Sequence, residues 1–330
     1  MIKNNKLLFL VLTLIISFTL IGCGVDKEKN TNTKNKETSV SINKKESYVD
    51  VEGVVEYICS DEIGYKSVED KGNELAVKYI NNLFSNMNLE YVFGESYLHE
   101  FIYKNKGYSA NGNLIDEQIE LNNIVGKISG KDNKKAIVIT AHIDSFGKGV
   151  LDNASGVAVA LKMADILKNN SKNNLPDQDI IFCITNAEMQ LFVGSENFVN
   201  DIKEKYESLC NVNIDCIGLK TGGPLALKNI SNISESEKLY ESLKKNLTES
   251  NIEFSDIVSS EKVEMTMKMN SGVSDYVSFE KLGIPNIHIS QSEMGSLPDK
   301  QNAGLEILDY QYLNKFAIAM VEWLQDFQIK

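Results

Sequence analysis

The stretch Lys134–His142, KKAIVITAH, constrains the fold more than any other. Its continuous apolar run, Ala136–Ile139, lacks the polar alternation of a strand with one wet face, so it predicts a strand buried on both sides. Such a strand needs covering layers above and below, and the flanking sequence offers them. ASGVAVALKMADILKNN, from Ala154, reads as a helix with nearly continuous apolar residues. DIIFCITNAE, from Asp179, and CNVNIDCIG, from Cys210, read as further central strands. SESEKLYESLKKNLTES reads as an exposed helix, GIPNIHIS as a late strand and YQYLNKFAIAMVEWLQDF as a closing helix. Upstream, Leu75, Ala76, Tyr79, Ile80, Leu83 and Phe84 recur at helical spacing, with YLHEFIYKN and LNNIVGKISG as strands after them. Buried strands alternating with helices predict an α/β fold: a single-domain three-layer sandwich, its central sheet largely parallel, with helices on both faces. Functional groups in such folds gather at the carboxyl ends of the strands.

The N-terminal region is of a different kind. Lys3 and Lys6 precede an uncharged, mostly apolar run, Leu7–Ile21. At roughly fifteen residues it is shorter than the ~18 to 20 that span a bilayer, which favours a signal peptide over a membrane helix. Leu20-Ile21-Gly22-Cys23 resembles a bacterial lipobox, which implies cleavage before Cys23 and lipidation of that residue. Residues 1–22 are therefore expected to be a lipoprotein signal peptide. Residues 23–47 are polar with few apolar side chains, and are expected to form a disordered tether starting at lipidated Cys23. The folded domain, 48–330, would then stand at the extracytoplasmic face of the cell membrane, held by its lipid anchor. A net charge of −12 argues against a nucleic-acid partner, because polyphosphate binding draws on clustered Lys and Arg. Cys183, Cys210 and Cys216 lie in or beside apolar runs, where cysteine is most often a small buried hydrophobe, and no Cys/His spacing suggests a thiolate zinc site.

The chemistry-bearing residues follow the strands. AIVIT leads into Ala141-His142-Ile143-Asp144, and LDNASG, Leu151–Gly156, opens the next helix. NAEMQLFVGS brings Glu188, VNIDCIG brings Asp215, and SDYVSFEKLGIPNIHI follows towards the C-terminus. Taken alone, Asp152-Asn153 has a plainer reading as a helix cap, since Asp and Asn commonly fill that position. The ordered set, together with DKGNELAVKYINNLF upstream, resembles metallopeptidase family twenty-eight, the co-catalytic zinc aminopeptidases, from about Ser60 to the C-terminus.

That resemblance implies a two-metal site bridged by Asp152, with one ion taking His142, Asp152 and Asp215. An imidazole and two carboxylates suit zinc and leave a position open. Asp144 would stand behind His142 as the carboxylate that fixes its tautomer, and Glu188 falls where the family has its general base. The other ion lacks its own ligands: Met189 stands where the family has a glutamate, and Ser296 where it has a histidine. A thioether is a poor zinc ligand beside carboxylates. Glu293, Asp299 and His288 are candidate substitutes, with plainer readings as loop charges and a hydrogen-bonded strand histidine; His99 lies outside every motif and reads as structural. The expectation is one zinc ion, or none. The implied function is a membrane-anchored metallo-exopeptidase of aminopeptidase type acting on peptides with Glu188 as base. The alternative is an inactive pseudo-peptidase serving as a peptide-binding or scaffold lipoprotein. A glutaminyl-cyclase-like enzyme fits less well, because the resemblance assigns its single zinc to the ligand set missing here.

Overall fold

The computed structural model describes residues 48–108, 114–228, 234–257, 273–292 and 303–329. Its centre is the strand expected from KKAIVITAH, here β3 (Asp132–His142). Ile137, Ile139 and Ala141 point into the main core while Ala136 and Val138 point into a second core on the opposite face, which is why the run is apolar throughout.

The helices are α1 (Val51–Ile58), α2 (Lys71–Asn86), α3 (Ser155–Ser171), α4 (Val193–Ile202), α5 (Ser234–Glu249), α6 (Tyr276–Glu280) and α7 (Tyr310–Asp326). Residues of α1, α2, α3, α5 and α7 line the main core, and Phe198, Val199 and Ile202 of α4 with Phe279 of α6 close the second. Helices on both faces of one sheet make the expected three-layer sandwich. The helix expected to be exposed, α5, is amphipathic instead: Leu239, Tyr240, Leu243 and Leu247 are buried.

The other strands are β1 (Leu98–Tyr108), β2 (Leu114–Ile128), β4 (Gln178–Thr185), β5 (Ser208–Ile214), β6 (Leu225–Lys228), β7 (Phe254–Ile257) and β8 (Asn286–Gln291). The sheet runs β1-β2-β4-β3-β5-β8-β6-β7. Its middle, β4-β3-β5-β8, is parallel as expected. The flanks are not: β1 and β2 form an antiparallel hairpin against β4, and β6 runs antiparallel to β8. The sheet is therefore mixed, with a parallel centre and a second parallel pair, β6 and β7, at one flank.

Four cysteines, Cys59, Cys183, Cys210 and Cys216, are buried free thiols. Near the start of the described chain, Val49 is stitched to α3: its N–H donates to Asp165 Oδ2 at 3.1 Å and its carbonyl accepts from Lys162 Nζ at 2.7 Å. Cys23 and the expected signal peptide and tether lie outside the described residues. No helix among the described residues is long and apolar enough to cross a membrane.

Candidate functional site

Parallel pairing carries the ends of β3, β4 and β5 to one edge of the sheet. His142 closes β3, Asp215 directly follows β5, and Glu188 follows β4 after Asn186 and Ala187. Asp152 arrives from the connection between β3 and α3, and Asn153 anchors it there. The Asn153 amide donates to Ile214 O at 2.9 Å, while its Oδ1 accepts from Gly156 N at 3.1 Å and Cys216 N at 3.2 Å. Asn153 thus satisfies an orphan N–H at the start of α3 and ties that helix to the end of β5. The capping falls to Asn153 and leaves the Asp152 carboxylate free to face His142. Glycine is required at position 156, where a Cβ would lie 2.3 Å from Asn153 Oδ1 and 2.8 Å from Ile214 O.

His142 Nδ1 lies 3.1 Å from the backbone oxygen of Asp144. A carbonyl only accepts, so Nδ1 carries a proton, and in the neutral imidazole Nε2 presents a lone pair. Nε2 faces Asp152 Oδ1 at 3.2 Å and Asp215 Oδ1 at 3.4 Å. It makes a directed hydrogen bond with neither, and Asp215 Oδ1 is likewise without a partner. Three acceptors turned on one another, within 4.8 Å in all, call for positive charge between them. A proton on the imidazole or a divalent cation supplies it, and one nitrogen with two carboxylate oxygens is a donor set that suits zinc.

The electrostatics agree. Burial works against a charged His142, yet Glu188, Asp152 and Asp215 outweigh it and hold the imidazole well above its ordinary pKa. For Asp215, burial opposes ionisation, and the adjacent His142 overcomes it, leaving the carboxyl below the usual range. Burial pushes Glu188 up to about 9, with Asp215, Asp275 and Asp144 adding to the rise against the opposing pull of His142. Positive charge entering the cluster favours the carboxylate form of Glu188, as a base requires.

Asp144 differs from expectation in detail. Its carboxylate is 3.7 Å from His142 Nδ1, too far for a hydrogen bond, and the tautomer is fixed by its backbone oxygen instead. The carboxylate accepts the N–H groups of Glu188 at 3.1 Å and Met189 at 3.0 Å, fixing the turn that presents the glutamate. Met189 thus retains a backbone role, although its side chain is no zinc ligand in this company. Ser296, Glu293 and Asp299 lie outside the described residues. His288 is not part of the cluster: Nδ1 contacts the Asn213 amide at 2.9 Å, and burial lowers its pKa to about 3, so it is neutral. His99 is held between Asp201 at 3.0 Å and Asn123 at 3.1 Å.

Two features were not assigned from sequence. Asp275, at the start of α6, accepts a 2.5 Å hydrogen bond from Thr185 Oγ1, and burial raises its carboxyl to about 6. It belongs to the SDYVSFEKLGIPNIHI segment, so the signal was present without a role attached. Asn186 pairs reciprocally with Asn73 of α2, at 2.8 and 2.9 Å, and nothing in the local sequence of either residue marks it.

A histidine, two carboxylates and a buried glutamate on the carboxyl edge of a mixed α/β sheet suit a divalent-metal hydrolase. Residues 123–324 match the model of peptidase family M28, and the chain belongs to that family. The chain is similar to aminopeptidase YwaD of Bacillus subtilis, at 30% identity over 49% of this chain. The match spans only 34% of that relative's length. Among solved structures, the zinc aminopeptidase BSAP of Bacillus subtilis superposes with a TM-score of 0.64 at 15% identity, covering 83% of this chain and 93% of that one. A glutaminyl cyclase of Porphyromonas gingivalis superposes at 0.63 with 15% identity, covering 83% and 96%. At such identities the structures establish the fold alone.

Proposed function

We propose that this protein is a metallo-exopeptidase of aminopeptidase type with one divalent-metal site, formed by His142, Asp152 and Asp215, and with Glu188 as general base. The observation that carries the proposal is the convergence of His142 Nε2, Asp152 Oδ1 and Asp215 Oδ1, the histidine nitrogen and the Asp215 oxygen being buried without a hydrogen-bond partner. Zinc held there supplies Lewis acidity toward the scissile carbonyl of a peptide. The remaining work belongs to the chain. The Asp144 backbone keeps the His142 lone pair turned inward, and the Asp144 carboxylate fixes the turn bearing Glu188. Glu188 takes the proton of the attacking water and returns it to the departing amine. The relatives named as aminopeptidases support the substrate class.

Met189 favours a second reading, an inactive peptide-binding or scaffold protein, because a two-metal site shares charge stabilisation worth several kcal/mol between its ions. Under both readings we further propose that Cys23 is lipidated and anchors the protein at the extracytoplasmic membrane face. The test is zinc titration of the full chain in detergent, followed by hydrolysis of a panel of aminoacyl and peptide substrates. Expected are at most one zinc per chain, loss of binding in His142→Ala, and loss of hydrolysis in Glu188→Ala. Two tightly bound ions refute the single-site reading. Zinc binding without hydrolysis of any substrate favours the binding protein.

A further inference from the structure

We propose that Lys66 is a positioning residue for this site, acting through the loop that delivers Asp152; its effect on metal binding rests on the single-site reading. Lys66 is fully buried. Its ammonium donates to Lys148 O at 2.6 Å and to Ile58 O at 3.4 Å. Ile58 ends α1, where unpaired helix carbonyls attract a cation, and Lys148 lies in the loop between His142 and Asp152. The side chain therefore ties a helix end to the ligand-bearing loop.

The backbone of Lys66 makes a parallel set of ties. Its carbonyl accepts the Ser145 N–H at 3.2 Å and the Asn73 amide at 3.1 Å. Asn73 is the partner of Asn186, two residues before Glu188. One residue thus stands where the loop bearing Asp144 and Asp152 meets the turn bearing Glu188, with a hydrogen bond to none of those carboxylates.

Packing alone does not call for lysine here. Burial drives its pKa down, and Cys59 and Asp144 counter only through space. Methionine would fill a similar volume without burying a charge. What lysine adds is a donor long enough to reach both carbonyls. The loop it holds carries Gly149, with φ of 65°, whose carbonyl accepts the Ala154 N–H at 2.9 Å. Releasing Lys148 O frees the near side of that turn, and Asp152 lies within it.

The experiment compares the full-length wild type in detergent with Lys66→Met and with Lys148→Ala, which removes a solvent-exposed ion pair with Asp61, a weak tie, and keeps the carbonyl. Amide hydrogen exchange in the metal-free protein reads the loop, and zinc titration reads the site. In Lys66→Met, exchange across 145–154 is expected to rise about tenfold or more while β3 and α7 stay protected, and zinc affinity to fall about 10- to 100-fold, the range for residues that orient ligands indirectly. Lys148→Ala is expected to change neither. Unaltered exchange in Lys66→Met overturns the clamp. Faster exchange with unaltered zinc affinity overturns the positioning role. A wild type that binds no zinc overturns the single-site reading and the metal role of Lys66 with it, while exchange still decides the clamp. Lys66→Gln, whose amide falls short of Lys148 O, is expected to loosen the same segment, so the result does not hang on one substitution folding.

Discussion

At the scale of single residues, Asp144 couples two parts of the candidate site that are distant in sequence. Its backbone oxygen orients His142 and its carboxylate takes two N–H groups from the Glu188 turn. Asp144→Ala should leave both N–H groups buried without partners, at a cost of about 1–3 kcal/mol each. The expected outcome is a lowered denaturation midpoint with His142 still able to bind zinc, measured by urea unfolding and metal titration. The structure brings His142, Asp152 and Asp215 together as the sequence reading expected, a reading that rested on their order along the chain and on the family resemblance. Lys66 and Asn73 were not legible in the sequence, because their partners lie far along the chain: Lys148 and Asn186. A lysine in a loop and an asparagine in a helix carry no local sign of burial.

At the scale of elements, the close approach of α3 to the end of β5 sets the separation of Asp152 and Asp215. Gly156 permits that approach. Gly156→Ala should force α3 outward and dislodge the Asn153 bridge, lowering stability by about 1–3 kcal/mol. Zinc affinity should fall with it, and a variant with wild-type affinity and midpoint would refute this view of the helix–strand contact. The long elements of this region were legible, since Ala136–Ile139 of β3 and Gly156–Leu167 of α3 carry apolar patterns long enough to read. Short elements were missed for physical reasons. The run LALK of β6 has only four residues, too few for a period, and takes its place from pairing with β8 and β7. In α1, Gly53 and three valines oppose helix by propensity, and its packing and the Asp50 cap decide the outcome.

At the scale of the whole molecule, the expected anchor and the folded body make separable contributions. Cys23→Ala in the full chain should abolish incorporation of labelled fatty acid on bacterial expression, with zinc binding unaltered, although the uncleaved apolar run Leu7–Ile21 would still hold the chain to a membrane. Undiminished labelling would refute lipid anchoring at that residue. The three-layer architecture was legible as a whole because strands covered on both faces have an unmistakable composition. The reversal of strand direction at both flanks was not, since it is set by pairing with strands far along the chain, β2 with β4 and β6 with β8.

The Val49 stitch gives the start of the folded body a mechanical character. The residue is held from both sides, by Asp165 and Lys162 of α3. Tension entering the fold at Val49 is therefore shared with a 17-residue helix packed in the core before it reaches α1. The first turn of α1, which follows directly, is shielded from being peeled away, and with it the carbonyl of Ile58 on which Lys66 pulls.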